Sequence, residues 1–176
     1  AIQHGIAFLT EDRKGQGLVL AQSIRTNLIL ANMKGFSSGL FLNEKRIEDA
    51  GQKNIASLRI KTPSIDEIVG QLSGGNQQKV VIGKWVNTDA DIFIFDEPTR
   101  GIDVGAKVEV YNVMNSLVKQ GKCVIMVSSE MPEILGMSDR VIVMRGGEVM
   151  AEVDRDSEHF NQEDLMKAAW GGKLDD

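Results

Sequence analysis

One continuous apolar run, Ile92 to Phe95, constrains the fold more than any other stretch of the sequence. The run has no polar alternation, which is typical of a strand buried on both faces of a parallel sheet. A second apolar run spans 123–127. Between the two, apolar residues from Val104 to Lys119 recur on one face of a predicted helix. Strands that alternate with helices predict an α/β fold, with a mainly parallel sheet covered on both faces.

The rest of the sequence predicts further elements around that core. A strand at 5–9 leads into a polar, glycine-containing loop at 10–17. From Ser23 to about Gly70 apolar residues recur at helical spacing, which indicates an inserted helical subdomain. The remaining predicted elements are a helix from Ser73 to Val86, a short helix at 133–135, strands at 140–144 and 148–153 joined by a Gly146-Gly147 turn, and a helix at 161–169.

Composition argues against several classes of function. The chain has 176 residues and a formal net charge of −5, without a basic stretch long enough to follow a phosphate backbone, so we expect no nucleic-acid partner. Cys123 lies inside an apolar run and is predicted to be a buried, inert thiol. His4 and His159 lack neighbours at zinc-ligand spacing, so we expect no transition metal. No apolar run reaches the roughly 18 residues that span a bilayer, and we expect a soluble, cytosolic chain.

The segment Leu72-Ser73-Gly74-Gly75-Asn76 places two glycines at the mouth of a predicted helix. Glycine costs roughly 1 kcal/mol relative to alanine in a helix, so the missing side chains indicate that another group approaches the backbone closely. With Ser73 as N-cap, the N–H groups of Gly75 and Asn76 and the positive end of the helix dipole would face outward and suit a phosphate. The alternative is a serine-capped glycine turn without a ligand.

Two adjacent carboxylates, Asp96 and Glu97, follow the strand at 92–95. The C-terminal edge of a parallel sheet is where open α/β folds bind ligands, although such a pair also serves as a helix cap or as surface charge. Further on, Asp103 precedes the helix predicted from Val104 and suits its N-cap position.

These motifs, in this order, resemble those of the ABC ATPases. Residues 72–78 resemble the signature motif, and the ending from Asn76 to Lys79 is typical of the sugar-importer branch. Residues 92–99 resemble the Walker B segment, and residues 99–103 resemble the D-loop. The resemblance implies an ABC-type P-loop NTPase fold: a truncated RecA-like core with a mainly parallel sheet and an inserted α-helical subdomain.

ATP and Mg²⁺ are the ligands that this resemblance implies. Asp96 would hold Mg²⁺ through water, and Glu97 would polarise the water that attacks the γ-phosphate. Asp103 would contact the nucleotide site of the opposite subunit. The residues that the resemblance assigns to ATP binding are Ser73, Gly74, Gly75, Asn76, Gln77, Glu11 and Asp103.

Two positions depart from the usual ABC pattern. Ser129 stands where most ABC domains have a histidine that contacts the γ-phosphate, and a serine cannot carry its positive charge. Glu11 stands in place of the Q-loop glutamine, where a carboxylate would repel phosphate unless Mg²⁺ or a nearby arginine compensates. Both departures fit the C-terminal half of the double-domain ATP-binding proteins of ribose, galactose, arabinose and xylose importers.

The P-loop motif Gly-x-x-x-x-Gly-Lys-Ser/Thr does not occur in the sequence. The first residues read as a strand already in progress, so we expect the natural N-terminus to lie upstream and isolated residues 1–176 to bind ATP weakly or not at all. In the ABC family each ATP lies between one domain's P-loop and the other's signature. The signature here would therefore act in trans on ATP held by a partner domain.

The expected organisation is one partial nucleotide-binding domain. Its parts are 1–22 (core strand and Q-loop), 23–72 (helical subdomain leading to the signature), 73–153 (core with Walker B, D-loop and switch) and 154–176 (C-terminal helix and tail).

The resemblance implies the energy-coupling subunit of a sugar importer, peripheral on the cytoplasmic face of the membrane. ATP hydrolysis would belong to the full-length complex, and this piece alone would be inactive. The implied partners are a second ABC domain, membrane-embedded permease subunits and, indirectly, a sugar-binding protein outside the membrane. The alternatives are a nucleoside-type importer, a non-transport ABC protein and a catalytically degenerate pairing domain.

Overall fold

The computed structural model describes residues 1–174 and divides the chain into two compact units, the first ending at Val127 and the second beginning at Ser128. The last two residues of the predicted C-terminal tail, 175–176, lie outside the described residues. Within the described part, no helix is long and apolar enough to cross a membrane.

A three-stranded parallel sheet forms the centre of the first unit. Its strands are β1 (Ile6–Leu9), β4 (Ile92–Asp96) and β5 (Cys123–Val127), in the order β1-β4-β5. The apolar runs at 92–95 and 123–127 are thus confirmed as neighbouring parallel strands. The sheet and its helices confirm the predicted α/β class.

Only one face of this sheet is covered. Ala7 and Phe93 are paired in register and buried, whereas Phe8 and Ile125 on the other face are 44% and 48% exposed. Helix α3 (Gly74–Val86) packs against β1, and helix α4 (Val104–Lys119) packs against β5 and against α3, so both cover the same face. The prediction of a sheet covered on both faces is wrong for the described residues. The prediction of a buried thiol is also wrong, because Cys123 is exposed on the edge strand β5.

Helices α3 (Gly74–Val86) and α4 (Val104–Lys119) begin where the sequence predicts. Asp103 caps α4, since its Oδ1 accepts a hydrogen bond from the N–H of Ala106 at 3.0 Å. After α4, Gly121 has a φ of +81°, a left-handed conformation that glycine adopts without strain and that ends the helix before β5.

The predicted helical block contains α1 (Ile24–Ile29) and α2 (Glu44–Ser57), with a small hairpin between them. The hairpin strands are β2 (Ser37–Ser38) and β3 (Phe41–Leu42). Such short strands have no readable period, so helical spacing did not reveal them. Arg25 joins this region by ion pairs to Glu44, Glu48 and Asp66.

The second unit is a small α/β module. It contains α5 (Met131–Met137), an antiparallel pair of β6 (Arg140–Arg145) and β7 (Glu148–Asp154), and α6 (Gln162–Ala169). Gly146 and Gly147 form the predicted turn with φ values of +58° and +88°. The core of this unit contains Val143, Val153, Leu165 and Ala168.

Candidate functional site

The N-termini of α3 and α4 lie side by side, and a glycine makes this possible. A Cβ added at Gly75 would lie 2.8 Å from the Cβ of Ala106, which is closer than carbon atoms tolerate. The prediction that another group closely approaches the backbone at the signature glycines is therefore confirmed at Gly75. The approaching group at Gly75 belongs to the protein itself, whereas the sequence pointed to a ligand.

The first turn of α3 has unused hydrogen-bond donors. In the part of the chain that the structure describes, the N–H groups of Gly74, Gly75 and Asn76 have no protein acceptor, whereas the N–H of Gln77 donates to the carbonyl of Ser73 at 2.9 Å. Ser73 occupies the N-cap position but its hydroxyl caps no backbone N–H, and instead accepts from Nδ2 of Asn76 at 3.1 Å. The helix end therefore presents free donors and the positive end of its dipole, a combination that suits an anion.

A cavity of about 190 Å³ borders the start of α3, where it is lined by two of these three donor residues, Gly75 and Asn76. It is lined by Lys61, Ser73, Gly75, Asn76, Lys79, Asp103, Gly105, Ala106 and Glu109. Two parts of the chain predicted separately, the signature and the D-loop aspartate, thus meet at one surface. Sequence reasoning assigned no role to the two lysines of this lining.

Lys79 connects three segments of the chain beside the cavity. Its side chain is buried, forms an ion pair with Glu109 of α4 and donates to the carbonyl of Arg59 at 2.8 Å. Arg59 has a φ of +51°, an uncommon conformation for a residue other than glycine. The sequence contains one indication of this role. Lys79 lies between Gln78 and Val80 on a helix predicted to be packed, and a buried cation requires a hydrogen-bond or ion-pair partner.

Gln77, which is predicted to bind ATP, uses its side chain within the protein. Its side chain is 4% exposed and donates to the carbonyls of Val69 and Leu72, both at 3.2 Å. With its N–H also engaged, Gln77 holds the segment that leads into α3 and does not line the cavity.

Asp96 and Glu97 lie at the C-terminal end of β4 and are not among the residues that line the cavity. Glu97 has a φ of +46°, and its N–H donates to the carbonyl of Val127 at 2.9 Å. A left-handed glutamate stores strain of about 1–3 kcal/mol, and such strain is frequent at functional sites. Among the described residues no three His, Cys, Asp or Glu side chains form a metal site. Two adjacent carboxylates nevertheless fit Mg²⁺, which proteins hold with one or two carboxylates plus substrate phosphates.

Glu11 is paired with an arginine rather than exposed as a bare carboxylate. It forms an ion pair with Arg100, the residue after Thr99 in the D-loop segment. The sequence argument required a compensating cation, and the structure supplies one from within the same unit. The pairing places the carboxylate of Glu11 against the D-loop, and the contact of Glu11 with ATP stays a prediction.

Ser129 belongs to the second unit and lies exposed between β5 and α5. Its neighbour Ser128 contacts the carboxylate of Glu133 and accepts a hydrogen bond from the N–H of Glu130 at 3.0 Å. Glu133 is buried, and its second oxygen lacks a hydrogen-bond partner among the described residues. The loop that carries Ser129 is therefore held by the residues on each side of it.

Known proteins with similar sequences agree with the resemblance to ABC ATPases. The sequence profile of the family described as ABC transporter matches residues 2–100. A ribose/galactose/methyl galactoside import ATP-binding protein of Rhizobium etli is 52% identical over 172 residues, which are 98% of this chain and 32% of the relative. The xylose import ATP-binding protein of Thermoanaerobacter pseudethanolicus is 51% identical over 173 residues, 98% of this chain and 34% of the relative.

A solved structure shows the same fold at lower identity. The dimeric ATP-binding cassette MJ0796, bound to ADP and Pi, has a TM-score of 0.73 and 20% sequence identity, and the match covers 88% of this chain and 65% of that one. The chain spans about a third of the length of the curated relatives it matches. The order of the motifs, the parallel sheet and a profile match over more than half of the residues agree. The chain belongs to the ABC transporter family.

Proposed function

We propose that this chain is the part of an ABC sugar importer's ATP-binding subunit that presents its signature helix to ATP held by a partner domain. The observation that carries the proposal is the group of N–H donors at the start of α3 that have no acceptor among residues 1–174, two of which belong to Gly75 and Asn76 in the lining of a cavity of about 190 Å³. Free N–H groups at a helix N-terminus stabilise a phosphate through hydrogen bonds and the helix dipole.

The rest of a hydrolytic site is weak on this chain, which supports action in trans. Ser129 replaces the usual histidine. Glu11 is occupied by Arg100. We infer that the P-loop, the Walker B carboxylates and the switch histidine of the working site belong to another ABC domain, which is the N-terminal half of the full-length protein. The cassette MJ0796, which has the same fold, is dimeric, and this supports pairing of two ABC domains.

Asp96 and Glu97 would serve this half's own nucleotide position. Asp96 would help to hold Mg²⁺, and the ion would neutralise phosphate charge there. Glu97 would accept a hydrogen bond from a water near the γ-phosphate. Because Ser129 and Glu11 replace the usual histidine and glutamine around this nucleotide position, we expect ATP hydrolysis there to contribute little.

The substrate and partners follow from the relatives. Those at about 50% identity are named for the import of ribose, galactose, methyl galactoside or xylose. We therefore assign the full-length protein to monosaccharide import, with membrane-embedded permease subunits as its direct partners. Its place is the cytoplasmic face of the membrane, and sugar recognition belongs to the permease and a binding protein outside.

The test replaces Ser73 by arginine in the full-length protein with its permease in proteoliposomes. A bulky cation in the cavity excludes the phosphate from the free N–H groups, and loss of such donors typically lowers kcat roughly 100-fold or more. Glu97→Gln is expected to lower ATPase activity only a few-fold, because the working carboxylate lies on the partner domain. The matched control is Ser116→Arg, at an exposed position on α4.

The outcome that contradicts the proposal is an unaffected Ser73→Arg protein together with an inactive Glu97→Gln protein. It would place the working site on this chain. If both variants kept full ATPase activity and sugar import, the chain would be a pairing domain without a nucleotide role. Gly75 variants are unsuitable for this test, because any side chain there meets Ala106 of α4 and disturbs packing as well as phosphate binding.

A further inference from the structure

A guanidinium connects the loop at 10–17 with the D-loop at 99–103. Nη1 of Arg13 donates to the carbonyl of Arg100 at 3.0 Å, and Nη2 donates to the carbonyl of Gly101 at 3.4 Å. The planar fork of arginine suits two adjacent acceptors, and a lysine cannot reproduce this geometry. Gly101 has a φ of +68°, so the backbone turns sharply at the point that Arg13 holds.

A second connection runs in the opposite direction. Arg100 extends from the D-loop to the carboxylate of Glu11, at the start of the same loop. Each segment thus contributes one arginine that binds the other segment. Arg13 binds backbone carbonyls of the D-loop, and Arg100 binds the carboxylate of Glu11. We call this set of residues, Glu11, Arg13, Arg100 and Gly101, the arginine latch.

The arginine latch also reaches the signature. A Cβ added at Gly74 would lie 2.9 Å from Nη2 of Arg13 and 3.5 Å from the carbonyl oxygen of Gly101. The guanidinium therefore lies against both the D-loop backbone and the first residue of α3. Gly74 adjoins Gly75, and Gly101 lies two residues before Asp103, both of which line the cavity, so a shift of Arg13 would disturb both segments.

The loop that carries Arg13 is itself fixed. Asp12 accepts a hydrogen bond from the N–H of Gly15 at 2.9 Å, which closes the turn. At the far end, Nζ of Lys84 on α3 donates to the carbonyl of Gly17 at 2.6 Å. Because these hydrogen bonds fix the loop at 10–17, Arg13 can restrict movement of the D-loop. An arginine on a flexible loop would move together with the D-loop.

We propose that the arginine latch positions the D-loop and the start of α3 for the ATP site completed in trans, and that Glu11 and Arg13 are positioning residues. This inference rests on the proposed function. It gives the glutamate at the Q-loop position a role of its own: its partner is the D-loop of the same domain, and its charge orders the residues that face the partner's nucleotide.

The first experiment measures ATP hydrolysis by the full-length protein with its permease in proteoliposomes. A misplaced catalytic contact of about 1 Å can cost up to roughly 100-fold in rate, so Arg13→Gln is expected to lower kcat at least tenfold. KM for ATP should change little, because the lost contact acts in the closed state rather than in initial binding. Lys14→Gln, the same substitution at the exposed neighbouring residue, should match the wild type. Wild-type kcat for Arg13→Gln would overturn the proposal.

The second experiment exchanges the charges of the ion pair. Glu11→Arg and Arg100→Glu should each lower kcat severalfold, since each creates a like-charge pair. The double variant restores opposite charges and should recover most of the activity. A double variant no better than the worse single variant would contradict the arginine latch, and so would single variants without effect. The thermal unfolding midpoint of nucleotide-free protein separates loss of positioning from loss of folding.

The two proposals fail differently. If Ser73→Arg abolishes hydrolysis while Arg13→Gln and the charge exchange leave it unchanged, only the arginine latch is wrong. If Ser73→Arg is harmless, the action in trans is wrong whatever the Arg13 variants show.

Discussion

Single residues in the first unit show how buried charge is accommodated. Lys84 of α3 is buried, and its ammonium donates to the carbonyl of Gly17 at 2.6 Å and lies 5.2 Å from the ring centroid of Trp85. A carbonyl and an aromatic ring compensate a cation less well than a carboxylate does. Burial accordingly lowers the pKa of Lys84 from its ordinary value of 10.5.

This lowered pKa predicts a pH-dependent stability. Between the folded-state pKa and 10.5 the unfolded chain binds more protons than the folded chain, so the free energy of unfolding rises with pH across that window. Below the window the cost of burying the charge is present in full. Chemical denaturation of the full-length protein at about pH 8 and about pH 10 should show the wild type gaining stability relative to Lys84→Met. Lys119→Met, at an exposed position, should follow the wild type. Parallel behaviour of wild type and Lys84→Met would contradict the prediction.

At this scale the sequence identified the motifs but not their contacts. It predicted the signature, the two carboxylates and the cap at Asp103 because each depends on neighbours along the chain. The pairing of Glu11 with Arg100, and that of Lys79 with Glu109, joins residues far apart in sequence. A single sequence records the charges and not which of them meet.

At the scale of elements, an asparagine joins the three helices that precede the sheet strand β4. Oδ1 of Asn87, at the end of α3, accepts from Nδ2 of Asn54 on α2 at 2.8 Å. Nδ2 of Asn87 donates to the carbonyl of Leu28 on α1 at 3.1 Å, and its own carbonyl accepts from Asn32 at 2.9 Å. Asn54 is only 3% exposed, so a lost partner is not replaced by bulk water.

Asn87→Ala should therefore destabilise the domain by roughly 1 to 3 kcal/mol, the typical cost of leaving buried polar groups unpaired. Denaturant unfolding of the full-length protein measures the change. Asn112→Ala, at an exposed position of α4, is the matched control and should remain close to the wild type. Equal stability of the two variants would show that water or a rearranged neighbour satisfies Asn54.

Elements with a strong period were predictable, and the others were not. Helices α3 and α4 and strands β4 and β5 follow from apolar spacing, caps and glycines read directly from the chain. The hairpin of β2 and β3 is too short to have a period. The uncovered face of the sheet was missed because an apolar run gives no sign of which face is packed, and the exposed Phe8 and Ile125 look like core residues in sequence.

For the whole molecule, the central claim is that the nucleotide faces this chain from outside it. The signature residues Gly75 and Asn76 and the D-loop cap Asp103 line one cavity, and Arg13 of the arginine latch lies against Gly74 at the start of the same helix. Asp96 and Glu97 are not among the residues that line this cavity. Curated relatives are about three times as long as the part matched here, and we propose that the partner ABC domain lies in the corresponding remaining length.

The most direct test maps the residues that touch the γ-phosphate position. Orthovanadate, trapped with nucleotide in the full-length importer complex, cleaves the nearby backbone under ultraviolet light, and mass spectrometry locates the cuts. The account predicts vanadate-dependent cleavage within Ser73–Asn76 of this chain, paired with cleavage in the P-loop of the other ABC domain. Trapping with normal cleavage in a P-loop but none at Ser73–Asn76 would contradict it.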